Sequence, residues 1–249
     1  MKIPRFYQND NLEEYSSSGE ALTLSAVNHR HAIQVLRLKV EEKLILFNGS
    51  GGEYFAHIHT FDKRKSSVIL DSFNAINRES PLSITLNLAM IKPDKMDLAI
   101  QKAVELGVNT IQPMYNERSI IKIKVNRLAK KMDHWQGIII GACEQSGRTM
   151  LPILKQPISL EYCIDNELKS SFNVAMLPNA VDRLADLKDL EKDQSVSLFI
   201  GPEGGFTDNE EQMMLDTGVS TIKFGPRILR AETAVISGIT AVQQRWGDL

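Results

Sequence analysis

"VSLFIGPEGGFTDNE" runs from Val196 to Glu210. Its first five residues, four of them apolar, read as a short buried strand. Gly201-Pro202 then ends the strand, because glycine opens backbone conformations closed to other residues and proline stiffens the turn while removing a donor. Thr207, with Glu210 three residues on, has the pattern of a capping box that opens a helix. Strand, glycine loop and helix in this order make the unit of an α/β domain with parallel strands, and ligands collect at the carboxyl ends of such strands. The loop does not match a phosphate cradle. Neither G-x-G-x-x-G nor G-x-x-x-x-G-K-[ST] is present, and no lysine follows Gly204-Gly205.

Working outward, the same rhythm repeats. "FNVAML" (Phe172 to Leu177) leads into "LPNA" (Leu177 to Ala180), and "STIKF" (Ser220 to Phe224) leads into "GPRILRAETA" (Gly225 to Ala234). Two Gly-Pro turns directly after strands, with Glu203 and Arg230 close by, favour a backbone-lined small-molecule site over two idle turns. Upstream, "LSITLNLAMI" (Leu82 to Ile91) and "TIQPM" (Thr110 to Met114) read as strands. Met96, Ala99, Ile100, Ala103 and Val104 follow helical spacing up to Gly107, and Leu128, Met132, Trp135, Ile139 and Ala142 make a second helical stripe. A last helix is predicted from about Glu232 toward Trp246. The first 70 residues differ. "KLILF" (Lys43 to Phe47), "EYFAHIHT" (Glu53 to Thr60) and "SSVILDSF" (Ser66 to Phe73) are β-rich, and "NGSGG" (Asn48 to Gly52) turns between the first two. One helix, Asn28 to Leu36, interrupts them. A small barrel or sandwich over 1–73, a polar linker over 74–81 and an α/β domain over 82–249 are expected.

Composition narrows the function. The chain has 249 residues, 43% hydrophobic and 24% charged, which suits packed globular domains. A formal charge of -2 creates no global attraction for a polyanion, so any nucleic acid must meet a local basic patch. Two cysteines, Cys143 and Cys163, make neither a disulfide framework nor a zinc site, and a reducing cytoplasm is expected. The start lacks an apolar leader core, and no apolar run approaches the length of a membrane span, about 18 residues. No metal is expected, because His29/His31 and His57/His59 have no cysteine or carboxylate spacing to support them. Arg30, Gln34 and Arg37 fall at i, i+4 and i+7 on the predicted helix, and Arg5 precedes Phe6 and Tyr7, a cation beside stacking rings.

"LFIGPEGGFTDNE" and "FGPRILRAETA" resemble the signature of the bacterial 16S ribosomal RNA (uracil-N3)-methyltransferase family, within the knotted SPOUT superfamily. "RHAIQVLRLK" (Arg30 to Lys39), "FNGSGGEYFAHI" (Phe47 to Ile58), "KPDKMDLAIQKAVELGV" (Lys92 to Val108), "ERS" (Glu117 to Ser119) and "ACEQSGRTMLP" (Ala142 to Pro152) are similar to its other segments, in the same order. The resemblance implies an N-terminal PUA-like β-barrel that binds RNA, then a SPOUT-type α/β domain with a C-terminal trefoil knot. It further implies a homodimer that acts on 16S rRNA of the small ribosomal subunit, with S-adenosyl-L-methionine as methyl donor. Carried onto this chain, the cofactor loops comprise Leu177, Pro178 and Asn179; Ile200, Gly201, Glu203, Gly204 and Gly205; and Phe224, Gly225, Ile228, Leu229, Arg230, Thr233 and Ala234. Two positions depart from the family pattern: Asn179 stands where glutamate is common, and Phe224 where an aliphatic residue is usual. RNA contacts are expected from Arg5, Arg30, Gln34, Arg37, Lys39 and Arg118, with the "KIKVNR" stretch (122–127) beside them.

Methyl transfer to a uracil N3 sets its own demands. Alignment for an in-line displacement carries much of the rate, and the sulfonium needs no metal. The imide proton must leave, and negative charge then spreads onto the flanking carbonyl oxygens, which calls for a positioned cation and allows a carboxylate base. Arg230 and Arg148 are the candidate cations, and Glu203, Glu144 and Glu232 the candidate bases, with a structural reading of Glu203 as an acceptor of backbone N–H groups in its loop standing equally beside its catalytic one. Glu144 and Glu232 have structural readings, as an i,i+4 partner of Arg148 and as a charge favourable to a helix start. Two other readings stand beside this one: a 2'-O-ribose methyltransferase of RNA, and a non-catalytic RNA-binding assembly factor.

Overall fold

The structure is a computed structural model that describes residues 3–119, 121, 123–168, 171–191 and 193–249. The chain forms two compact units. The first is Met1–Glu79 with Cys143–Leu151, and the second is Ser80–Ala142 with Pro152–Leu249.

In the first unit β1 (Arg5–Tyr7), β2 (Leu22–Thr23), β3 (Lys43–Phe47), β4 (Glu53–Phe61) and β5 (Ser66–Asn74) form one sheet in the order β1-β3-β4-β5-β2. β1 runs parallel to β3, and the other pairs are antiparallel. Alternation decides the faces. Leu44, Leu46, Ala56, Ile58, Val68 and Leu70 turn inward and pack with Phe6, Leu22 and Leu12, the last from helix α1 (Leu12–Ser18).

The predicted helix Asn28 to Leu36 takes another form. One α-helical turn, α2 (Ala26–His29), is capped by Ser25, whose hydroxyl accepts from the Asn28 N–H, and it widens into a π-helical stretch over Arg30–Val35. Leu36 N–H reaches back five residues to the His31 carbonyl. This wider winding breaks the 3.6-residue spacing, and Arg37 lies beyond it at φ 57°. Arg30, Gln34 and Arg37 therefore do not make one α-helical stripe. Val35 and Leu36, apolar residues of this stretch, are exposed at 62% and 43%.

Residues 143–151, expected with the α/β domain, count with the first unit. Their contacts explain it. Glu144 accepts from the Tyr7 N–H at 2.9 Å, and the Arg5 guanidinium donates to the Gly147 and Arg148 carbonyls at 3.1 and 3.2 Å.

The second unit has a sheet of β6 (Ile84–Ala89), β7 (Thr110–Tyr115), β8 (Ile153–Leu154), β10 (Ser171–Met176), β11 (Ser195–Ile200) and β12 (Ser220–Ile222), with β9 (Ile158–Ser159) pairing to β7. The order is β12-β10-β11-β6-β7-β8, and every pairing is parallel. Val174, Leu198 and Leu86 stand in register and are wholly buried, as strands covered on both faces require. The helices are α3 (Pro93–Glu105), α4 (Val125–Ser146), α5 (Leu160–Glu167), α6 (Asp208–Asp216) and α7 (Ala231–Trp246). α7 packs on the sheet through Gly238, where a Cβ would lie 2.6 Å from the Met176 sulfur and 3.2 Å from Leu198. The chain enters mid-sheet at β6 and steps outward to β7 and β8. It then resumes at β10, fills the gap with β11, and passes beyond β10 to β12. That path brings three carboxyl ends together: Met176, Ile200 and Ile222.

Candidate functional site

At those three strand ends a cavity encloses about 670 Å³, its open mouth included. Met176, Ile200 and Ile222 form its floor with Leu177 and Pro178. The loop after β11 supplies Gly201, Pro202, Glu203, Gly205 and Phe206. The loop after β12 supplies Phe224, Gly225, Arg227, Ile228 and Leu229, and Ala231 and Ala234 of α7 close the wall. The lining is apolar side chain and bare backbone, with one carboxylate, Glu203, and one guanidinium, Arg227.

Glycine is required here for local reasons. A Cβ on Gly201 would lie 3.0 Å from the Phe206 ring, so a side chain there would require the ring to shift. Gly205 and Gly225 sit at φ 70° and 69°, the left-handed region that glycine enters without strain. Beyond them the predicted capping box closes as drawn. The Thr207 hydroxyl accepts from the Glu210 N–H at 3.2 Å, and the Glu210 carboxylate accepts from the Thr207 N–H at 2.8 Å. Buried Glu210 also accepts from the Glu117 N–H at 2.9 Å and the Asn116 amide at 3.3 Å, which ties the loop after β7 to the start of α6.

The charged candidates separate by their partners. Glu203 accepts from the Lys92 N–H at 3.1 Å, at the N-cap of α3. Arg230 occupies the N-cap position of α7 and is exposed, and among the described residues no ion pair engages it. Glu232 is buried and faces Lys95 at 3.4 Å, so it acts as an ion-pair partner. Arg118, also an expected RNA contact, is exposed and donates from Nη1 to the Gly204 and Phe206 carbonyls at 3.0 and 2.8 Å. Asn179, Gly204, Arg230 and Thr233 do not line the cavity. Met176, Pro202, Phe206, Ile222, Arg227 and Ala231 do; strand-end position was the signal for Met176 and Ile222, and the other four lie within the quoted stretches after β11 and β12.

Arg148 and Arg5 belong to the interior of the first unit. Arg148 is 4% exposed and forms a two-point pair with Glu79. The expected Glu144–Arg148 pair does not form, because α4 ends at Ser146 and Gly147 turns the chain at φ 88°. Burial pushes the Glu144 carboxyl up, although the Tyr7 N–H opposes it. Arg5 pairs with Glu53, which also faces Arg78, and lies 5.1 Å from the Phe47 ring centre. Burial alone would raise the Glu53 carboxyl, but the hydrogen bonds and charges of the two guanidiniums outweigh it and hold the group below the usual range. Of the expected RNA contacts, Arg30, Gln34, Arg37 and Lys39 are exposed. Lys122 of the "KIKVNR" stretch lies outside the described residues.

Comparison with known proteins bears on both units. Residues 78–243 match the model of an RNA methyltransferase domain, and residues 29–71 match that of an RNA methyltransferase PUA domain. A ribosomal RNA small subunit methyltransferase E of Buchnera aphidicola is 38% identical over 252 residues, covering 100% of this chain and 98% of its own. A methyltransferase of Legionella pneumophila, solved in complex with its bound cofactor SAM, superposes with a TM-score of 0.94 at 38% identity. A ribosomal RNA small subunit methyltransferase E of Neisseria gonorrhoeae, solved bound to S-adenosyl methionine, gives 0.90 at 36% identity. Both structures are covered in full, as is this chain.

Proposed function

This chain belongs to the ribosomal RNA small subunit methyltransferase E family, and from that premise we propose that it transfers a methyl group from S-adenosylmethionine to N3 of a uridine in 16S ribosomal RNA. The observation that carries the proposal is the cavity at the ends of β10, β11 and β12, in a chain that matches such enzymes along its whole length.

The residues present suit the cofactor. Leu177, Ile200, Ile222 and Leu229 offer apolar walls to a purine, and the backbone of the Gly201 and Gly225 loops offers polar groups to its edges and to a ribose. Gly201, where a Cβ would crowd the Phe206 ring, brings the main chain itself to the cavity wall. When bound, S-adenosylmethionine supplies a methyl group already activated on a sulfonium.

The rest falls to the protein. Arg230, exposed beside the lining residues Leu229 and Ala231, is assigned to the uracil carbonyl oxygens, where its planar fork offsets the charge that develops as N3 passes its proton to solvent water and takes the methyl group. Glu203 is assigned to anchor its loop on the start of α3, since its carboxylate holds the Lys92 N–H. Arg148 and Arg5 are assigned to the architecture of the first unit and not to catalysis or RNA.

The matched PUA domain supports RNA binding by the first unit, and its five-stranded sheet around one core suits a barrel. The passage of the chain past β10 between β11 and β12 is the kind of crossing a C-terminal trefoil knot needs. A homodimer acting in the cytoplasm completes the proposal. Among the described residues no helix is long and apolar enough to cross a membrane. The test is to incubate the protein with labelled methyl donor and small ribosomal subunits from a strain lacking the modification. Label is expected in 16S RNA, and unlabelled RNA with active subunits would sink the proposal.

A further inference from the structure

We infer that Arg118 is a positioning residue that sets the shape of the methyl-donor loop from outside the cavity; the inference rests on the proposed function. Arg118 follows β7, a strand whose end does not border the cavity. Its Nη1 donates to two carbonyls, Gly204 at 3.0 Å and Phe206 at 2.8 Å. These carbonyls flank Gly205, which stands at φ 70° with no heavy atom within 4 Å of the place a Cβ would occupy. Gly205 N–H closes a turn onto the Pro202 carbonyl at 2.9 Å, and the guanidinium nitrogen spanning its two neighbours adds a second hold on that turn, from outside the loop. The Arg118 stem adds contact, since a Cβ on Gly204 would lie 3.3 Å from the Arg118 Cβ.

The brace is itself fixed. Asn116 N–H bonds to the Ser119 hydroxyl at 3.2 Å and Ser119 N–H to the Asn116 carbonyl at 3.1 Å, closing the turn that carries Arg118. Glu210 grips the same turn through the Glu117 N–H and the Asn116 amide. Gly205 and Phe206 both line the cavity, so a shift at either carbonyl alters the cavity wall without any change in its side chains.

The test compares wild type with Arg118→Ala, Arg118→Lys and Gly204→Ala. Calorimetry reads S-adenosylmethionine affinity, steady-state rates read KM and kcat, and filter binding across a salt series reads 16S RNA affinity. Loss of a charged hydrogen-bond donor predicts a donor Kd and KM raised about tenfold or more in Arg118→Ala. kcat at saturating donor should change little, and RNA affinity and its salt slope should stay at wild-type values. Arg118→Lys, which keeps a donor but not the fork, should recover part of the loss. Gly204→Ala, which crowds the stem from the loop side, should show the same KM-weighted defect and keeps the test available if Arg118→Ala does not fold. Donor affinity within twofold of wild type in the folded variants overturns the inference. So does weakened RNA binding with a shallower salt slope, the mark of a lost phosphate contact. A folded wild type that binds no donor would instead refute the methyltransferase reading.

Discussion

Glu203 lines the cavity, Arg230 stands next in sequence to the lining residues Leu229 and Ala231, and the two are assigned different work. Glu203 gives one carboxylate oxygen to the backbone of Lys92, 111 residues away in sequence. An amide oxygen can accept that bond as well as a carboxylate can. Glu203→Gln should therefore keep turnover within about threefold of wild type, while Glu203→Ala, which leaves the N–H to water, should raise KM for the donor. A Glu203→Gln variant slowed by orders of magnitude would make Glu203 the base. Among the described residues no ion pair engages Arg230, which is assigned to the uracil carbonyl oxygens, and removing one oxyanion-stabilising donor costs about 10²–10³ in kcat. Arg230→Ala should fall in that range with donor affinity little changed. The pairing of Glu203 with Lys92 was not legible in sequence, because only the fold sets α3 beside the loop. For the same reason Arg148 looked catalytic, when it is held by Glu79, sixty-nine positions back.

At the scale of elements, local signals read well and long-range ones did not. Thr207 and Glu210 announce α6 by a mechanism that needs only four residues, and the capping box is there. The strands over 43–47, 53–61 and 66–74 follow from alternation and from the Asn48 to Gly52 turn. β8 and β9, two residues each, exist through their pairing with β7 and carry too little pattern to stand out. The π-helical stretch over Arg30–Val35 was read as α because its apolar and basic residues fit a 3.6-residue period that the backbone does not follow. Gly238 shows how tightly one element sets another. Gly238→Val would drive a branched side chain into Met176 and Leu198, between α7 and β10–β11. Overpacking of this kind costs about 1–3 kcal/mol. Thermal melts should show that loss, and donor affinity should fall with it because Met176 also forms the cavity floor.

For the molecule as a whole, the α/β class was legible from strand–loop–helix repeats, while the place of residues 143–151 in the first unit was not. Residues 143–151 join the first unit through Arg5, and the same guanidinium pairs with Glu53, which has 3% of its side chain exposed. Because the folded carboxyl titrates below its unfolded value, its contribution is present above about pH 4.3 and is lost as pH falls through the folded pKa. Glu144 works in the opposite sense, since its raised pKa makes the charged form a cost that acid relieves. Hydrogen exchange in β4 and β5 should therefore show Glu53→Gln less protected than wild type at pH 7 by about 3–5 kcal/mol, the cost of breaking a buried pair. That gap should shrink as pH drops toward 3, and a gap independent of pH would contradict the linkage.

The central claim is chemical, and nucleoside mass spectrometry of 16S RNA methylated by this protein tests it most directly. The account predicts 3-methyluridine at a single position, lost with Arg230→Ala. Methyl groups on ribose, or on no uridine at all, would contradict it.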